Sequence, residues 1–317
     1  MSKYACEPLS FQGLKTISIR ARGGKVRIEH FAKPYSGGGV AGLLDSLPHI
    51  LAADSLRAVV DRLLEARARK KMILWGLGGH VIKCGLAPIL IDLMNRGYAT
   101  AFAMNGAAAI HDFEIAIAGQ TSEDVEAVLP DGSFGAAEET GREISLAGTP
   151  PDNDSAGYGE ALGRRLEEIA PEFGACSLLH EAYRAAVPVT IHVAVGTDTP
   201  HTYPGADGAL IGRHTHHDFR LLAALVKEIH DGGVYLNVGS AVLLPEVFLK
   251  TVSVVRNLGH PLANFTTVNF DFLQHYRPRV NVVERPHARA GGHGYSITGH
   301  HEIMIPLLAA ALIEREP

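Results

Sequence analysis

The stretch 73–126 constrains the fold of this 317-residue chain more than any other. Its first apolar run ends at Gly78-Gly79, an amphipathic stretch follows, and a second apolar run ends at Asn105-Gly106-Ala107. Apolar runs that alternate with amphipathic stretches are typical of βαβ units in a parallel sheet. Because small residues at adjacent strand ends let a ligand approach the backbone, the pattern predicts a nucleotide site at the carboxyl edge of that sheet.

The same alternation extends along most of the chain. Strands are predicted at Lys25–Ile28, Lys71–Gly76, Ala99–Met104, Val189–Val195, Val234–Val238 and Phe265–Phe270. Helices are predicted over Leu43–Ala68, Val81–Arg96, Glu160–Ala170, Phe219–His230, Glu246–Leu258 and Ile303–Ile313, and after a capping-box pattern at Thr121. We therefore expect an α/β fold, a Rossmann-like parallel sheet of about six strands with helices on both faces. One domain is expected over 1–317, with an N-terminal extension (1–42) and a mobile Gly-, Pro- and acid-rich excursion (130–159).

The composition excludes several classes of protein. The formal net charge is −5, whereas a nucleic-acid-binding face needs a surplus of basic residues. No apolar run reaches the roughly 20 residues of a membrane-spanning helix, and the N-terminus lacks the apolar core of a signal peptide. The cysteines, Cys6, Cys84 and Cys176, have no metal-like spacing and indicate a reducing, cytoplasmic location. Cys84 is interpreted as a small core residue.

Several of these motifs resemble the deoxyhypusine synthase family and its bacterial relatives, including homospermidine-synthase-like members. The resemblance covers roughly residues 40–315. It is strongest at Gly79-His80-Val81-Ile82-Lys83, Met104-Asn105-Gly106-Ala107, His111-Asp112-Phe113-Glu114, Leu236-Asn237-Val238-Gly239-Ser240-Ala241-Val242 and Pro306-Leu307-Leu308. It implies a six-stranded sheet that binds NAD across its strand ends, and a homotetramer with active sites between subunits.

The resemblance also implies which residues contact the cofactor. They are Gly78, Gly79, His80, Asn105, Gly106, Ala107, Gly239, Ser240 and Asn269. The aspartate of the loop after the next strand matches either Asp198 or Asp207, and both assignments stay open.

The His111-Asp112-Phe113-Glu114 segment is the best candidate for acid–base chemistry. A carboxylate beside a histidine sets its tautomer and raises its basicity. We therefore predict His111, Asp112 and Glu114 as catalytic groups. The alternative is that the two carboxylates complement the dipole at the start of a helix.

The chain departs from the family at the nucleophilic lysine. The family carries that lysine in a Trp-Gly-Lys segment before the last strand, where this chain has Arg289–Ser296 without any lysine, and no lysine follows Lys250. Imine formation needs a primary amine, which His293 does not have. Polyamine transfer is therefore not expected, and His293 is predicted as an acid–base residue instead.

Histidines in the C-terminal half support a hypothesis from another class. His214, His216, Asp218 and His301 could ligate a metal and form a His/carboxylate metal-dependent hydrolase. Their spacing matches no established zinc pattern, so no residue is assigned as a metal ligand and a divalent metal ranks below NAD. Lys83 is the one lysine near the predicted site, and a solvent-exposed position is favoured for it over a Schiff-base role.

The sequence thus predicts an NAD-dependent transferase or oxidoreductase-like enzyme. Its substrate is expected to be a small molecule rather than the lysine of a translation factor, and the chain is expected to form a homo-oligomer. The metal-dependent hydrolase is the first alternative. A non-catalytic nucleotide-binding protein that kept this fold is the second.

Overall fold

The computed structural model of the protein describes residues 3–148 and 156–316, and its centre is a six-stranded sheet. The strands are β1 Ile73–Leu77, β2 Ala101–Asn105, β3 Val189–His192, β4 Val234–Val238, β5 Thr266–Asp271 and β6 His293–Thr298. Their order across the sheet is β3-β2-β1-β4-β5-β6, and each neighbouring pair is parallel. The predicted α/β class with a Rossmann-like parallel sheet is therefore confirmed. The order reverses between β1 and β4, which is the switch point where sheets of this kind bind ligands.

Helices precede, connect and follow the strands. They are α1 Gly39–Ser46, α2 Leu51–Ala68, α3 Gly79–Lys83, α4 Ala87–Asn95, α5 Gly106–Ala118, α6 Val125–Val128, α7 Glu138–Ala147, α8 Tyr158–Ile169, α9 Leu178–Arg184, α10 Gly208–Lys227, α11 Leu243–Asn257, α12 Tyr276–Pro278 and α13 His301–Glu314. A π-helical turn, Arg279–Glu284, continues α12. Within the two described ranges, no helix combines the length and apolarity that crossing a membrane demands.

Alternate strand residues are buried on opposite faces of the sheet. Ile73, Trp75 and Leu77 of β1 join a core with helices that include α2, α5 and α13. Leu74, between them, joins a second core with α10 and α11. Because both faces are covered, β1 to β5 are almost entirely buried, which explains their nearly continuous apolar runs, whereas β6 at the edge of the sheet is largely exposed.

The predicted helix Val81–Arg96 is in fact two helices. α3 ends at Lys83, Gly85 has a φ of 74°, and Pro88 lies in the first turn of α4. A left-handed residue ends a helix, and proline is tolerated in a first turn because that position needs no N–H donor. The break leaves Cys84 at the C-terminal end of α3.

Two further local predictions are wrong. Lys25–Ile28 is not a strand, and the only regular element described before α1 is a 3-10 turn at Ile28–His30. The helix expected from Thr121 begins instead at Val125, where Asp124 accepts a hydrogen bond from the Ala127 N–H. The segment around His293, for which no element was predicted, is a strand, β6.

Much of the predicted excursion over 130–159 is helical. It contains all of α7 and the start of α8. Residues 149–155 lie outside the described part of the chain. The mobility expected for the excursion therefore stays a prediction.

Candidate functional site at the carboxyl edge of the sheet

The turns after β1 and β4 are in backbone contact at the switch point. The Gly78 N–H donates to the Val238 carbonyl at 2.9 Å. A Cβ on Gly78 would overlap the carbonyl oxygen of Gly239, so no larger residue fits between the two turns. Gly239 itself has a φ of 68°, which glycine adopts at no steric cost. The two predicted glycine turns therefore lie side by side.

The turn after β2 adjoins this pair. Asn105 ends β2 and accepts a hydrogen bond from the Ala108 N–H at 2.9 Å, which begins α5. A Cβ built on Gly79 would lie 3.0 Å from the Cβ of Ala107, a closer approach than side chains normally make. The β1, β2 and β4 turns thus form one continuous surface, which we call the glycine edge.

Backbone N–H groups without an intramolecular acceptor lie on the glycine edge. Within residues 3–148 and 156–316, the amides of Gly79, His80 and Ser240 donate to no carbonyl or side chain. Gly79 is half-buried, His80 is exposed and Ser240 is buried. Free amides from two adjoining turns are the groups that bind phosphate oxygens in nucleotide sites of this architecture.

Asp198 brings a carboxylate to the same edge from the loop after β3. It lies against Gly106, where a Cβ would overlap the carboxylate, and thus beside the N-terminus of α5. Burial raises its pKa, and the Oδ2 atom has no partner among the described residues. Asp207, the other aspartate that the sequence allowed, instead accepts from the Ala209 N–H at 2.7 Å and begins α10.

His111 and Glu114 are linked through the hydroxyl of Thr121. Thr121 donates to Glu114 Oε2 at 2.5 Å, and its Oγ1 lies 2.7 Å from His111 Nδ1. A hydroxyl has one proton, so Thr121 must accept from a proton on Nδ1. This fixes the neutral tautomer of His111 and leaves the lone pair on Nε2. The Cδ2 edge of the ring faces the position of a Cβ on Gly79 at 3.4 Å, so Nε2 lies at the glycine edge.

Glu114 is held as a carboxylate by the groups around it. Burial raises its pKa, but hydrogen bonds from His111, Thr121 and Thr140 outweigh burial and the net pKa is lowered. Thr140 belongs to α7 and donates to Glu114 Oε1 at 3.1 Å. Neither threonine was predicted as a site residue, and Thr121 was predicted only as a helix start, because nothing in the sequence indicates that residues 7 and 26 positions away contact Glu114.

Asp112 faces away from this group. It is fully buried and accepts hydrogen bonds from the Ser177 hydroxyl at 2.6 Å and from the Leu178 and Leu179 N–H groups at 2.8 Å. Burial raises its pKa to about 6, against the opposing effect of these hydrogen bonds. The carboxylate therefore holds the start of α9 and does not contact the glycine edge.

Two other predicted site residues lie outside the glycine edge. Asn269 is buried within β5, where its Oδ1 accepts from Asn237 Nδ2 at 2.7 Å and its Nδ2 donates to Gln274. Asn237 also donates to the Ser240 carbonyl, so Asn269 stabilises the β4 turn indirectly, through Asn237. His293 begins β6 and pairs in register with Thr266, the first residue of β5. It is therefore at the amino edge, opposite the other candidates.

The proposed hydrolase ligands are not assembled. His214 has both ring nitrogens within 2.9 Å of backbone carbonyls, those of Ala156 and Gly148. Asp218 accepts from the Gly159 and Ile191 N–H groups. His216 is exposed, and His301 lies near the β5 end, where its Nε2 is 3.2 Å from the Phe270 carbonyl. The described residues therefore do not support the metal-dependent hydrolase.

A different set of potential ligands does meet at the carboxyl edge. His80 Nε2 lies 3.3 Å from Cys84 Sγ, and Cys84 Sγ lies 3.8 Å from Glu302 Oε2. Cys84 is half-buried and packs against the main hydrophobic core, as interpreted, and its thiol also has polar neighbours that were not predicted. Burial, then the Glu302 charge, raises the pKa of its thiol. The i,i+4 spacing of His80 and Cys84 was a usable sequence signal, whereas Glu302, 218 positions from Cys84, was not. Lys83, between them, is exposed, as predicted.

The cavities distinguish the two edges of the sheet. One cavity of about 720 Å³ opens at the amino edge beside Val187, Pro188 and Val189 and contains none of the candidate residues. A cavity of about 250 Å³ lies at the carboxyl edge and is lined in part by Tyr158 and His201. The same two residues also border the space beside Asp198. A small molecule in this cavity would therefore lie near the Asp198 carboxylate.

Comparison with known proteins supports the fold. No protein-family model and no curated protein matches the sequence. A conserved LOR/SDH-type protein from Methanococcus maripaludis S2 has a TM-score of 0.54 and 14% identity over 84% of this chain and 71% of its own. The ternary complex of AgrE with ornithine and NAD+ has a TM-score of 0.52 and 16% identity over 84% of this chain and 34% of AgrE. A protein assigned as a deoxyhypusine synthase from Entamoeba histolytica has a TM-score of 0.51 and 11% identity, over 88% of this chain and 95% of its own.

At these identities the likeness concerns the fold alone. The resemblance to deoxyhypusine synthase therefore holds for the architecture, and membership of that family does not follow from it. The chain spans about a third of AgrE. The activity of the whole AgrE protein is therefore not attributed to this chain.

Proposed function

We propose that the protein is an NAD-dependent enzyme that transfers hydride to or from a small molecule. One observation carries this proposal: the free amides of Gly79, His80 and Ser240 lie on two touching turns at the switch point of the sheet. A dinucleotide pyrophosphate needs several N–H donors and close backbone approach, which these turns provide. The AgrE structure with NAD+, which shares the fold, supports the choice of dinucleotide.

The residues of the glycine edge divide between the two ends of the cofactor. The β1 and β4 turns would hold the pyrophosphate. Asp198 already supplies a negative charge at the N-terminus of α5, so a phosphate is disfavoured there. The free Oδ2 of Asp198 would instead accept from a hydroxyl or amino group of the ribose or the substrate. Asn105, Gly106 and Ala107 would border the nicotinamide.

When bound, NAD would supply the hydride acceptor or donor. His111 would handle the proton, because its Nε2 lone pair lies at the glycine edge while Nδ1–H is held by Thr121. In the oxidising direction a hydroxyl or amine of the substrate loses its proton to Nε2 as the adjacent carbon gives up its hydride. Glu114 then stabilises the imidazolium through Thr121. Asp112, Asn269 and His293 are left out of the reacting groups.

The substrate would enter the cavity of about 250 Å³ between Tyr158 and His201. This cavity is slightly smaller than the roughly 300–1,000 Å³ of typical ligand pockets, which favours a very small substrate. No lysine follows Lys250, and Lys83 is exposed, so a covalent imine with the chain is not part of the proposal. The proposal therefore leaves out transfer through a lysine nucleophile and takes simple hydride transfer as the reaction.

We also propose that the chain assembles with copies of itself in the cytoplasm. The segment 3–38, which we call the N-terminal arm, exposes a series of large apolar side chains, among them Leu9 (86% exposed), Phe11 (78%) and Ile17 (75%). A concentration of exposed large apolar side chains in one segment is typical of an interface. The free cysteines, Cys6, Cys84 and Cys176, agree with a reducing compartment.

NADH titration of a charge variant tests the proposal. Ala241 follows Ser240 and is half-buried on the β4 turn, so Ala241→Glu places a carboxylate beside the pyrophosphate site. Ala241→Gln matches its size without the charge. The unmodified chain should bind NADH by fluorescence or calorimetry, and the Glu variant should lose at least about tenfold in affinity, or about 1.4 kcal/mol.

The Gln variant should retain nearly all of the affinity. Failure of the unmodified chain to bind NADH, or equal losses in both variants, would overturn the proposal. Binding without turnover over a panel of small alcohols and amines would favour the non-catalytic alternative.

A further inference from the structure

The side chains of His80, Cys84 and Glu302 form a cluster that the dinucleotide proposal does not use. His80 and Cys84 are one helical turn apart on α3, as the hydrogen bond from the Cys84 N–H to the His80 carbonyl shows. Glu302 is in the first turn of α13, and the packing of the sheet brings it to them. An imidazole nitrogen of His80, the sulfur of Cys84 and a carboxylate oxygen of Glu302 all lie within 4.8 Å of one another. We propose that these three residues bind a zinc ion.

The spacing of the ligand atoms suits a tetrahedral ion. With bonds of about 2.0–2.3 Å to N, O and S, the corners of a tetrahedral zinc site lie about 3.3–3.8 Å apart. The His80–Cys84 and Cys84–Glu302 separations are 3.3 and 3.8 Å. Small rotations of the exposed His80 and Glu302 side chains close the remaining distance. Binding therefore needs no change in the backbone.

The donor set is specific for a borderline-soft metal. Magnesium and calcium prefer oxygen ligands alone, whereas zinc accepts imidazole, thiolate and carboxylate together. Three protein ligands leave one tetrahedral position for water or for an oxygen of a substrate, as in catalytic rather than structural zinc sites. The site is therefore of the open type.

His301 gives a second, independent indication of a ligand at this place. Its side chain is fully buried, its Nε2 lies near the Phe270 carbonyl, and its Nδ1 has no partner among the described residues. Its ring packs edge to face with His80, with centroids 5.7 Å apart. An Nε2–H bond to the carbonyl leaves a lone pair on Nδ1. Water on the metal would provide the donor that this buried nitrogen lacks.

A chance grouping of polar side chains at the surface explains the cluster less well than a metal site does. The carboxylate of Glu302 has an ion pair only with His300 in the described ranges, at 3.9 Å, and no lysine or arginine neutralises it. A thiolate beside that carboxylate is unfavourable unless a cation lies between them. Phe272, 42% exposed, stacks on His300 and partly covers the group. Without a metal the Cys84 thiol donates its proton toward Glu302 Oε2, and a zinc ion would take the place of that proton and bind both groups.

The metal site and the dinucleotide site can be tested apart, although both include His80. The dinucleotide proposal uses the backbone N–H of His80, and the metal proposal uses its side chain. His80→Gln keeps the first and removes the second. Failure of one proposal therefore leaves the other intact.

Titration of the metal-stripped full chain with zinc and with cobalt(II) tests the site. We expect one equivalent per chain by competition with a chromophoric chelator. Cobalt should give the visible bands of tetrahedral coordination together with a thiolate-to-cobalt charge-transfer band. Cys84→Ser should abolish the charge-transfer band, and Glu302→Gln and His80→Gln should each weaken zinc binding at least about tenfold.

Matched controls use the same residue types elsewhere. Cys176→Ser changes an exposed free cysteine, and His293→Gln an exposed histidine at the amino edge; both should bind one equivalent unchanged. Circular dichroism should show that the Cys84 and Glu302 variants are folded. Zinc binding that survives in Cys84→Ser, or that Cys176→Ser removes, would overturn the proposal, as would the absence of a stoichiometric site.

Discussion

The carbonyl oxygen of Gly239 occupies the space that a side chain on Gly78 would need. This contact joins the turns after β1 and β4, which come from strands about 160 positions apart in the chain but adjacent in the sheet. The glycine at position 78 is thus required by the packing of one turn on another. In the proposed function, the ligand would instead be bound by the neighbouring free amides.

Gly78→Ala should therefore destabilise the protein. Overpacking against rigid backbone costs about 3 kcal/mol, because neither turn can move without breaking the Gly78–Val238 hydrogen bond. Urea unfolding measures the loss. Gly212→Ala, on α10 with no atom near the new methyl group, should instead gain about 0.5–1 kcal/mol. Equal stability of the two variants would contradict the turn-to-turn contact.

Thr121→Val should release the His111 tautomer. The substitution keeps the shape of the side chain but removes the hydroxyl that links His111 Nδ1 to Glu114. Nitrogen-15 NMR of the His111 ring should show a single Nδ1–H tautomer in the unmodified chain and a mixture of tautomers in the variant. Turnover of an identified substrate should fall about tenfold or more. Thr121→Ser should restore both. An unchanged histidine spectrum in the valine variant would show that Thr121 does not set the tautomer.

Asp112→Asn should lower stability without altering NADH affinity. Both carboxylate oxygens accept hydrogen bonds, so the amide group of asparagine must face the N–H or O–H of a residue among Ser177, Leu178 and Leu179. Leaving that donor unpaired costs about 2–3 kcal/mol. Asp92→Asn, which loses only an exposed pair with Arg96, should cost less than about 0.5 kcal/mol. A weakened affinity for NADH in folded Asp112→Asn would show that Asp112 does contribute to the cofactor site.

Asp218 should make the protein less stable as the pH rises from about 4 to about 7. Burial raises its pKa from 3.8 to about 7 in the folded chain. Between these values the folded state binds more protons than the unfolded state, so the free energy of unfolding decreases with pH, by up to about 1.4 kcal/mol per unit.

The buried His192 acts in the opposite direction. Burial lowers its pKa from 6.5 to about 4, so stability gained from His192 is present above 6.5 and is lost as the pH falls toward 4. The two effects oppose each other in the unmodified chain, and only the difference between variants isolates either one. The free energy of unfolding of Asp218→Asn relative to the unmodified chain should therefore rise with pH across 4–7. A flat difference would mean that Asp218 titrates normally.

Removal of residues 1–36 should reduce the assembly state. The deleted segment carries the exposed apolar residues of the N-terminal arm, whereas α1 and its contact with Glu314 remain. Light scattering coupled to size exclusion should show a smaller particle, with an unchanged far-ultraviolet circular dichroism spectrum. Replacing Leu9 and Phe11 with serine should act in the same direction. A particle of unchanged mass after both changes would exclude the arm from the interface.

The sequence by itself determined the class of fold and the identity of its turns. Apolar runs of strand length, separated by amphipathic helices, can be covered only by helices on both faces of a parallel sheet. The carboxyl ends of such strands share one edge, so Gly78, Asn105, Asp198 and Gly239 were predictable neighbours. This is local information, because periodicity and small residues are properties of short segments.

Only the tertiary structure decided which polar side chains meet. Asp112 and Glu114 are two residues apart on α5, yet one holds α9 and the other joins His111 through Thr121. His293 and His80 differ in the edge of the sheet they occupy, and Glu302 reaches Cys84 across most of the chain. Contacts between residues far apart in sequence depend on strand order and on the direction each helix face points, and no local pattern encodes either.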